Sequence, residues 1–187
     1  MTRARRASAA VLALLVALPA PSAMAQDTQP AEPTVYRGEP YNAPVPATLA
    51  GAQVVDGAAA IALHASGAAF VDVYPRVKRP EGLPEGTIWR APRHDTIPGA
   101  VWLWDTGYEQ LNPDEQARLA DGLAAVTGGD KTAPLVIFCR ADCWMSWNAA
   151  RRAVEAGYSA VSWFPGGIDD WQAEGGDDLV RAEPGDR

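Results

Sequence analysis

Leu135 to Trp144 reads LVIFCRADCW. Four apolar residues without alternation, then a cysteine and a short polar loop, are the pattern of a strand buried on both faces that ends at a chemical group. Ser146 to Ala156 (SWNAARRAVEA) follows as a helix, ended by Gly157 where a left-handed residue closes many helices. A strand that turns through a loop into a helix places Cys139 at the carboxyl edge of a parallel sheet, where open α/β folds bind ligands. Loop amides and the helix N-terminus both favour an anion there. The same field favours the thiolate of Cys139, the nucleophilic form.

The neighbouring segments alternate in the same way. Ala58 to Ala65 suits a short helix closed by Gly67, and Ala69 to Val73 (AFVDV) is a buried strand carrying Asp72 near its end. Ile97 to Trp104 reads as a tight turn followed by a strand. A helix begins at Asn112 or Pro113 and runs to Val126, with proline and acids in its first turn. Val161 to Phe164 is a final strand and Ile168 to Ala173 a final short helix. Strands alternating with helices predict an α/β fold with a central parallel sheet and helices on both faces.

The chain has 187 residues, enough for one domain with a substantial core. At 48% hydrophobic it is not a disordered chain. A net charge of −7 argues against nucleic-acid binding, which depends on phosphate neutralisation. Residues 1–25 read as a secretory signal: Arg3, Arg5 and Arg6, an apolar run from Ala9 to Ala20, and Ala23-Met24-Ala25 as the cleavage pattern. The run is short for a membrane anchor, which needs about 20 apolar residues. The Arg5-Arg6 pair resembles a twin-arginine signal without completing it. Cleavage after Ala25 removes three arginines and no acid, which takes the net charge from −7 to −10. The expected location is the periplasm, with no membrane association after cleavage and both cysteines in an oxidising compartment. Residues 26–47, rich in Pro, Ala and Gln, read as a flexible or extended leader, and residues 48–187 as the single domain.

These motifs resemble a rhodanese-homology domain. The carriers of the resemblance are Phe70-Val71-Asp72-Val73, Ile97-Pro98-Gly99-Ala100, the strand and Cys139-Arg140 loop, the helix ending Glu155-Ala156-Gly157-Tyr158, and Pro165-Gly166-Gly167-Ile168-Asp169-Asp170-Trp171. Their order spans about residues 50–175. The resemblance implies a three-layer rhodanese-like fold and a persulfide on Cys139, taken from a donor such as thiosulfate. It also implies a cradle of amides from Arg140, Ala141, Asp142, Cys143 and Trp144.

The loop departs from the family's usual pattern. Asp142 stands where family loops often carry glycine, Trp144 where they carry Arg or Thr, and Thr96 where His often precedes the turn. A carboxylate in the cradle opposes thiosulfate and raises the thiol pKa. The Cys-x-x-x-Cys-Trp pattern is similar to a periplasmic rhodanese-like subfamily associated with catabolism of alcohols that depends on pyrroloquinoline quinone (PQQ). That resemblance implies an indirect link to PQQ, no bound cofactor, and a quinoprotein dehydrogenase system or redox partner.

Two cysteines four apart can reach the roughly 4.4–6.8 Å Cα separation of a disulfide if the loop curves. An oxidising compartment favours that bond, and its position suits a redox role more than a structural one. Metal binding through the pair with His64 or His94 is a weaker reading. Covalent haem is disfavoured for want of Cys-x-x-Cys-His. Cys139 and Cys143 are therefore the candidate catalytic residues, Arg140, Ala141, Asp142 and Trp144 the substrate loop, and Asp72 and Arg76 auxiliary groups.

Arg76 to Arg93 holds five basic residues and two acids, and could steer an anionic ligand or acidic partner toward the loop. Trp163 and Trp171 read as core, Trp144 and Trp147 as walls of a pocket or interaction surface, and Arg151 and Arg152 as a solvated helix face. Three functions compete: a sulfurtransferase, a non-enzymatic accessory of alcohol oxidation, and a thiol–disulfide protein. The altered loop tilts the choice toward the second and third, and leaves catalytic activity open.

Overall fold

The computed structural model describes residues 29–183, so the signal segment expected at 1–25 lies outside the described residues. The chain order is β1 (Gln53–Val54), α1 (Gly57–Ala65), β2 (Ala69–Asp72), β3 (Asp95–Thr96), β4 (Val101–Trp102), α2 (Pro113–Thr127), β5 (Leu135–Phe138), α3 (Trp144–Glu155), β6 (Val161–Phe164), α4 (Gly167–Ala173) and β7 (Val180–Arg181). Five strands form one sheet in the order β1-β6-β5-β2-β4, and every pairing in it is parallel. β3 and β7 form a separate antiparallel pair.

The apolar strands sort by the period of two that sheet geometry imposes. Val71, Leu135, Ile137, Val161 and Trp163 join Leu119 and Leu123 of α2 and Trp147, Ala150 and Ala153 of α3 in one cluster. Phe70, Val136, Phe138 and Phe164 join Ala60 of α1 and Trp171 of α4 in a second. The sheet is thus the middle of three layers, with α2 and α3 on one face and α1 and α4 on the other. Among the described residues no helix is long and apolar enough to cross a membrane.

Local chemistry sets the helix ends. Asn112 caps α2 through a reciprocal pair with Glu115, the arrangement that satisfies two orphan amides at once. Gly128 closes the same helix with φ 61°. Asp56 accepts from the Ala59 amide and starts α1.

Residues 29–47 form no regular element beyond a single bridge, and hydrogen bonds tie them to the domain. Arg37 exchanges two backbone hydrogen bonds with the Asn148 side chain, its N–H donating at 2.9 Å and its C=O accepting at 2.9 Å. Arg151 donates to the carbonyls of Pro33 and Thr34. The Arg152 guanidinium lies 3.9 Å from the Tyr36 ring centre. The two arginines expected on a solvated face instead contact this segment, Arg151 through backbone carbonyls that have no ladder partner and Arg152 through the Tyr36 ring, while Arg152 also donates to the Glu109 carbonyl.

Candidate functional site

The Cys139–Cys143 loop joins β5 to α3 at the carboxyl edge of the sheet, and two structures grip it from opposite sides. On one side is the turn into α4. The Ile168 amide donates to the Cys139 carbonyl at 3.1 Å, and Arg140 bridges Gly167. The Asp169 carboxylate accepts from the Ala141 amide at 2.8 Å. Gly167 has φ 53°, and a Cβ there would fall on the Cys139 carbonyl and within 2.8 Å of Arg140 Cα. The close approach of these two backbones requires glycine.

On the other side is the N-terminal segment. Asn42 forms an antiparallel bridge with Cys143. The Ala43 amide donates to the Asp142 carbonyl at 3.0 Å, and the Trp144 amide donates to the Tyr41 carbonyl at 2.8 Å. The Trp144 indole N–H donates to the Pro44 carbonyl at 3.1 Å, and that of Trp147 to the Thr48 carbonyl at 3.2 Å. Trp144 and Trp147 are buried, packed edge-to-face at 5.7 Å. They seat the segment instead of walling a pocket, since each has its indole N–H satisfied by a segment carbonyl.

Two amides expected in an anion cradle are therefore taken: Ala141 by Asp169 and Trp144 by Tyr41. Among the described residues, those of Arg140, Asp142 and Cys143 have no protein acceptor. Asp142 sits at φ 54°, in the left-handed region that favours glycine, which accounts physically for a glycine at this loop position.

A cavity of about 430 Å³ opens over the loop. Its lining includes Tyr41, Asn42, Tyr74, Arg140, Asp142, Cys143 and Asp169. Two carboxylates face one guanidinium, so the cavity's own charge does not favour a dianion. The Arg140 guanidinium lies 5.8 Å from the Tyr74 ring centre and 4.0 Å from Asp169.

Cys139 and Cys143 form a disulfide with Cα atoms 6.2 Å apart, inside the range such a bond requires. Their exposure differs. Cys139 is 1% exposed and absent from the cavity lining, whereas Cys143 is 6% exposed and lines it.

Asp72 is fully buried below this edge, accepting from the Tyr74 amide (2.8 Å) and the Thr96 hydroxyl (2.6 Å) and pairing with His94 Nε2 (2.7 Å). His94 stacks on Tyr74 at 4.8 Å, so Asp72 positions the Tyr74 wall without touching the cavity. Arg76 does not line the cavity either; its guanidinium lies 5.1 Å from the Trp104 ring centre and its amide donates to Asp105. His64 bonds the Pro98 carbonyl and packs on Phe70 and Trp171, across the sheet from the cysteines. Neither histidine joins the pair, and among the described residues no cluster of three or more such ligands could hold a metal.

Sequence reasoning missed Tyr41, Asn42 and Tyr74 and gave Asp169 no role. Asp169 lay in a quoted motif and was findable there; Tyr41 and Asn42 lie in a Pro/Ala-rich stretch without periodicity and carried no signal.

A search of curated proteins finds no match. Among solved structures, the chain is similar to a 30 kDa polysulfide-sulfur transferase homodimer from Wolinella succinogenes (18% identity, 70% of this chain and 80% of that chain, TM-score 0.43). It is also similar to a protein of unknown function, described as a possible tyrosine phosphatase, from Rhodopseudomonas palustris (22% identity, 68% and 85%, TM-score 0.39). A third is an uncharacterized protein from Saccharomyces cerevisiae (21% identity, 66% and 93%, TM-score 0.38). The rhodanese-like domain model matches residues 59–174, from within α1 to just past α4, and covers every strand of the parallel sheet except β1. With the parallel three-layer fold and the cysteine loop at its carboxyl edge, this match establishes that the chain belongs to the rhodanese-like domain family.

Proposed function

We propose that this is an exported thiol–disulfide protein on a rhodanese-like scaffold, acting through Cys139 and Cys143 as an accessory of a PQQ-dependent alcohol-oxidising system. The observation that supports the thiol–disulfide reading is the bond between the two cysteines, one of which, Cys143, lines the cavity. A bond closing so short a loop adds little stability through chain entropy, so stapling the fold is a poor account of it. Export and the link to alcohol oxidation rest on the signal-like N-terminus and on the resemblance of the Cys-x-x-x-Cys-Trp pattern. A quinoprotein dehydrogenase system is the partner this reading names.

Family membership favours a second reading, a sulfurtransferase carrying a persulfide on Cys139. That chemistry needs the Cys139 thiolate, and hence the reduced protein. The two carboxylates at the cavity oppose thiosulfate, so turnover would be slow even after reduction.

Intact mass with and without reductant tests the first reading. The isolated protein should be about 2 Da lighter than its reduced form. Two free thiols in protein taken from the periplasm would sink it. A thiosulfate:cyanide assay before and after reduction tests the second, and turnover by the oxidised protein at an ordinary rhodanese rate would overturn the loop-chemistry argument. Cell fractionation, with co-purification against a quinoprotein dehydrogenase, tests export and partnership.

A further inference from the structure

We infer that Cys143, rather than the family-position Cys139, is the sulfur through which this protein exchanges with an outside thiol, and that Cys139 is the buried resolving partner. The inference rests on the thiol–disulfide reading above and assigns its polarity. Cys143 lines the 430 Å³ cavity, and Cys139, 1% exposed, does not. An incoming thiolate needs open space beside the cysteine it attacks, and of the two only Cys143 borders the cavity.

In the first step the incoming thiolate bonds to the Cys143 sulfur and the Cys139–Cys143 bond breaks. Its electron pair leaves on Cys139, which then takes a proton from solvent. A second thiol, or the second arm of a dithiol, attacks the mixed disulfide and releases Cys143 reduced. The two thiol groups supplied are oxidised to one disulfide, and the cysteine pair is reduced by two electrons.

The opposing effect is leaving-group quality. Both sulfurs sit in the apolar cluster, and the deeper burial of Cys139 disfavours its thiolate more, which makes it the poorer leaving group. Leaving-group pKa tunes the rate by degrees, whereas a sulfur that no thiolate can approach does not react. Access therefore decides. In the reverse direction access decides again. Reduced Cys143 stands at the N-cap of the 12-residue α3 and borders the cavity, so it is the sulfur placed to attack a partner's disulfide; the helix start favours its thiolate, and Asp142 and Asp169 beside it oppose that. The sequence placed the activating field on Cys139; the structure puts the helix start one residue after Cys143.

The cavity charge narrows the partner. Asp142 and Asp169 line the cavity against the single cation Arg140 and disfavour an anionic thiol, so a neutral thiol or a protein cysteine flanked by basic or uncharged residues is the better substrate.

The test uses the oxidised full-length protein and reduced glutathione, quenched early by alkylation and mapped by peptide mass. The expected result is glutathione on Cys143 and the alkyl group on Cys139. Glutathione on Cys139, or equal labelling of both, would overturn the assignment while leaving the disulfide reading intact. Absence of any disulfide in the starting protein would remove both. A second measurement uses Cys139→Ser and Cys143→Ser with oxidised glutathione. The variant that keeps Cys143 should form its adduct roughly tenfold faster or more. Equal rates would refute the polarity.

Discussion

Asn42 and Cys143 pair as antiparallel neighbours, and two backbone hydrogen bonds flank the pair: Ala43 N–H to the Asp142 carbonyl and Trp144 N–H to the Tyr41 carbonyl. Asn42 precedes the region that matches the rhodanese-like domain model, which begins at residue 59. The cysteine loop is thus held by a segment outside the matched region. Perturbing that segment should be felt at the cysteines.

Asn148 is the buried anchor of the segment, bonding Arg37 twice and the Gly107 carbonyl once at 2.9 Å. Asn148→Ala should cost about 2–4 kcal/mol and lower Tm by roughly 5–15 °C. Hydrogen exchange at Ala43 and Trp144 should rise by more than the global loss explains. Unchanged protection at those amides would show that the segment holds without its anchor.

The exposed end of the same contact should be pH-sensitive. The Tyr36 hydroxyl donates to Glu155, and this bond, aided by Arg151, holds the Glu155 carboxyl below its ordinary value. A depressed carboxylate contributes stability above its unfolded pKa, near 4.3, and loses it as pH falls through the lower folded value. Proteolysis within residues 29–40 should therefore accelerate in acid below about pH 4. Glu155→Gln should flatten that dependence, with a stability cost under about 1 kcal/mol because the pair is largely solvated. A pH profile identical to the parent's would assign the acid effect elsewhere.

Gly167→Ala combines a left-handed φ with a Cβ against Cys139 and Arg140. A loss of at least about 3 kcal/mol is expected. Gly99→Ala, with φ +77° and open space around it, should cost only about 1–2 kcal/mol. Similar costs for the two, measured by denaturant unfolding, would mean that the α4 turn moves aside freely.

Asp142 joins strain to charge, and two substitutions separate them. Asp142→Gly should stabilise by about 1 kcal/mol, whereas Asp142→Asn, which tolerates the same backbone region, should change stability little. Both should speed reaction with glutathione by about threefold to fivefold at low salt, relative to a neutral thiol. Equal effects on the two thiols would remove the electrostatic account.

The basic segment contributes contacts as well as charge. Lys78 lies 5.6 Å from the Tyr108 ring centre and Arg76 lies over Trp104, so replacing Arg76, Lys78 and Arg79 by serine should cost about 1–2 kcal/mol. It should also slow association with an acidic protein and weaken the salt dependence of that rate, measured by stopped-flow. An unfolded triple variant would show deeper packing than these contacts imply.

Features that depend on local pattern were legible in the chain. Apolar runs such as 135–138 and 161–164 mark doubly buried strands, and Asn112 with Pro113 marks a helix start, because hydrophobic period and capping chemistry act over a few residues. The order of those elements carried the parallel sheet, and two cysteines four apart carried the prospect of their bond. Only the tertiary structure decided the rest. Two-residue strands such as β1, β3 and β7 have no period to read; their partners define them. Residues 29–48 dock because Asn148, Arg151, Trp144 and Trp147 offer partners to their backbone, and those partners lie about a hundred residues away in the chain. Which cysteine meets the cavity was likewise out of reach of the sequence, since exposure is set by what folds over each sulfur.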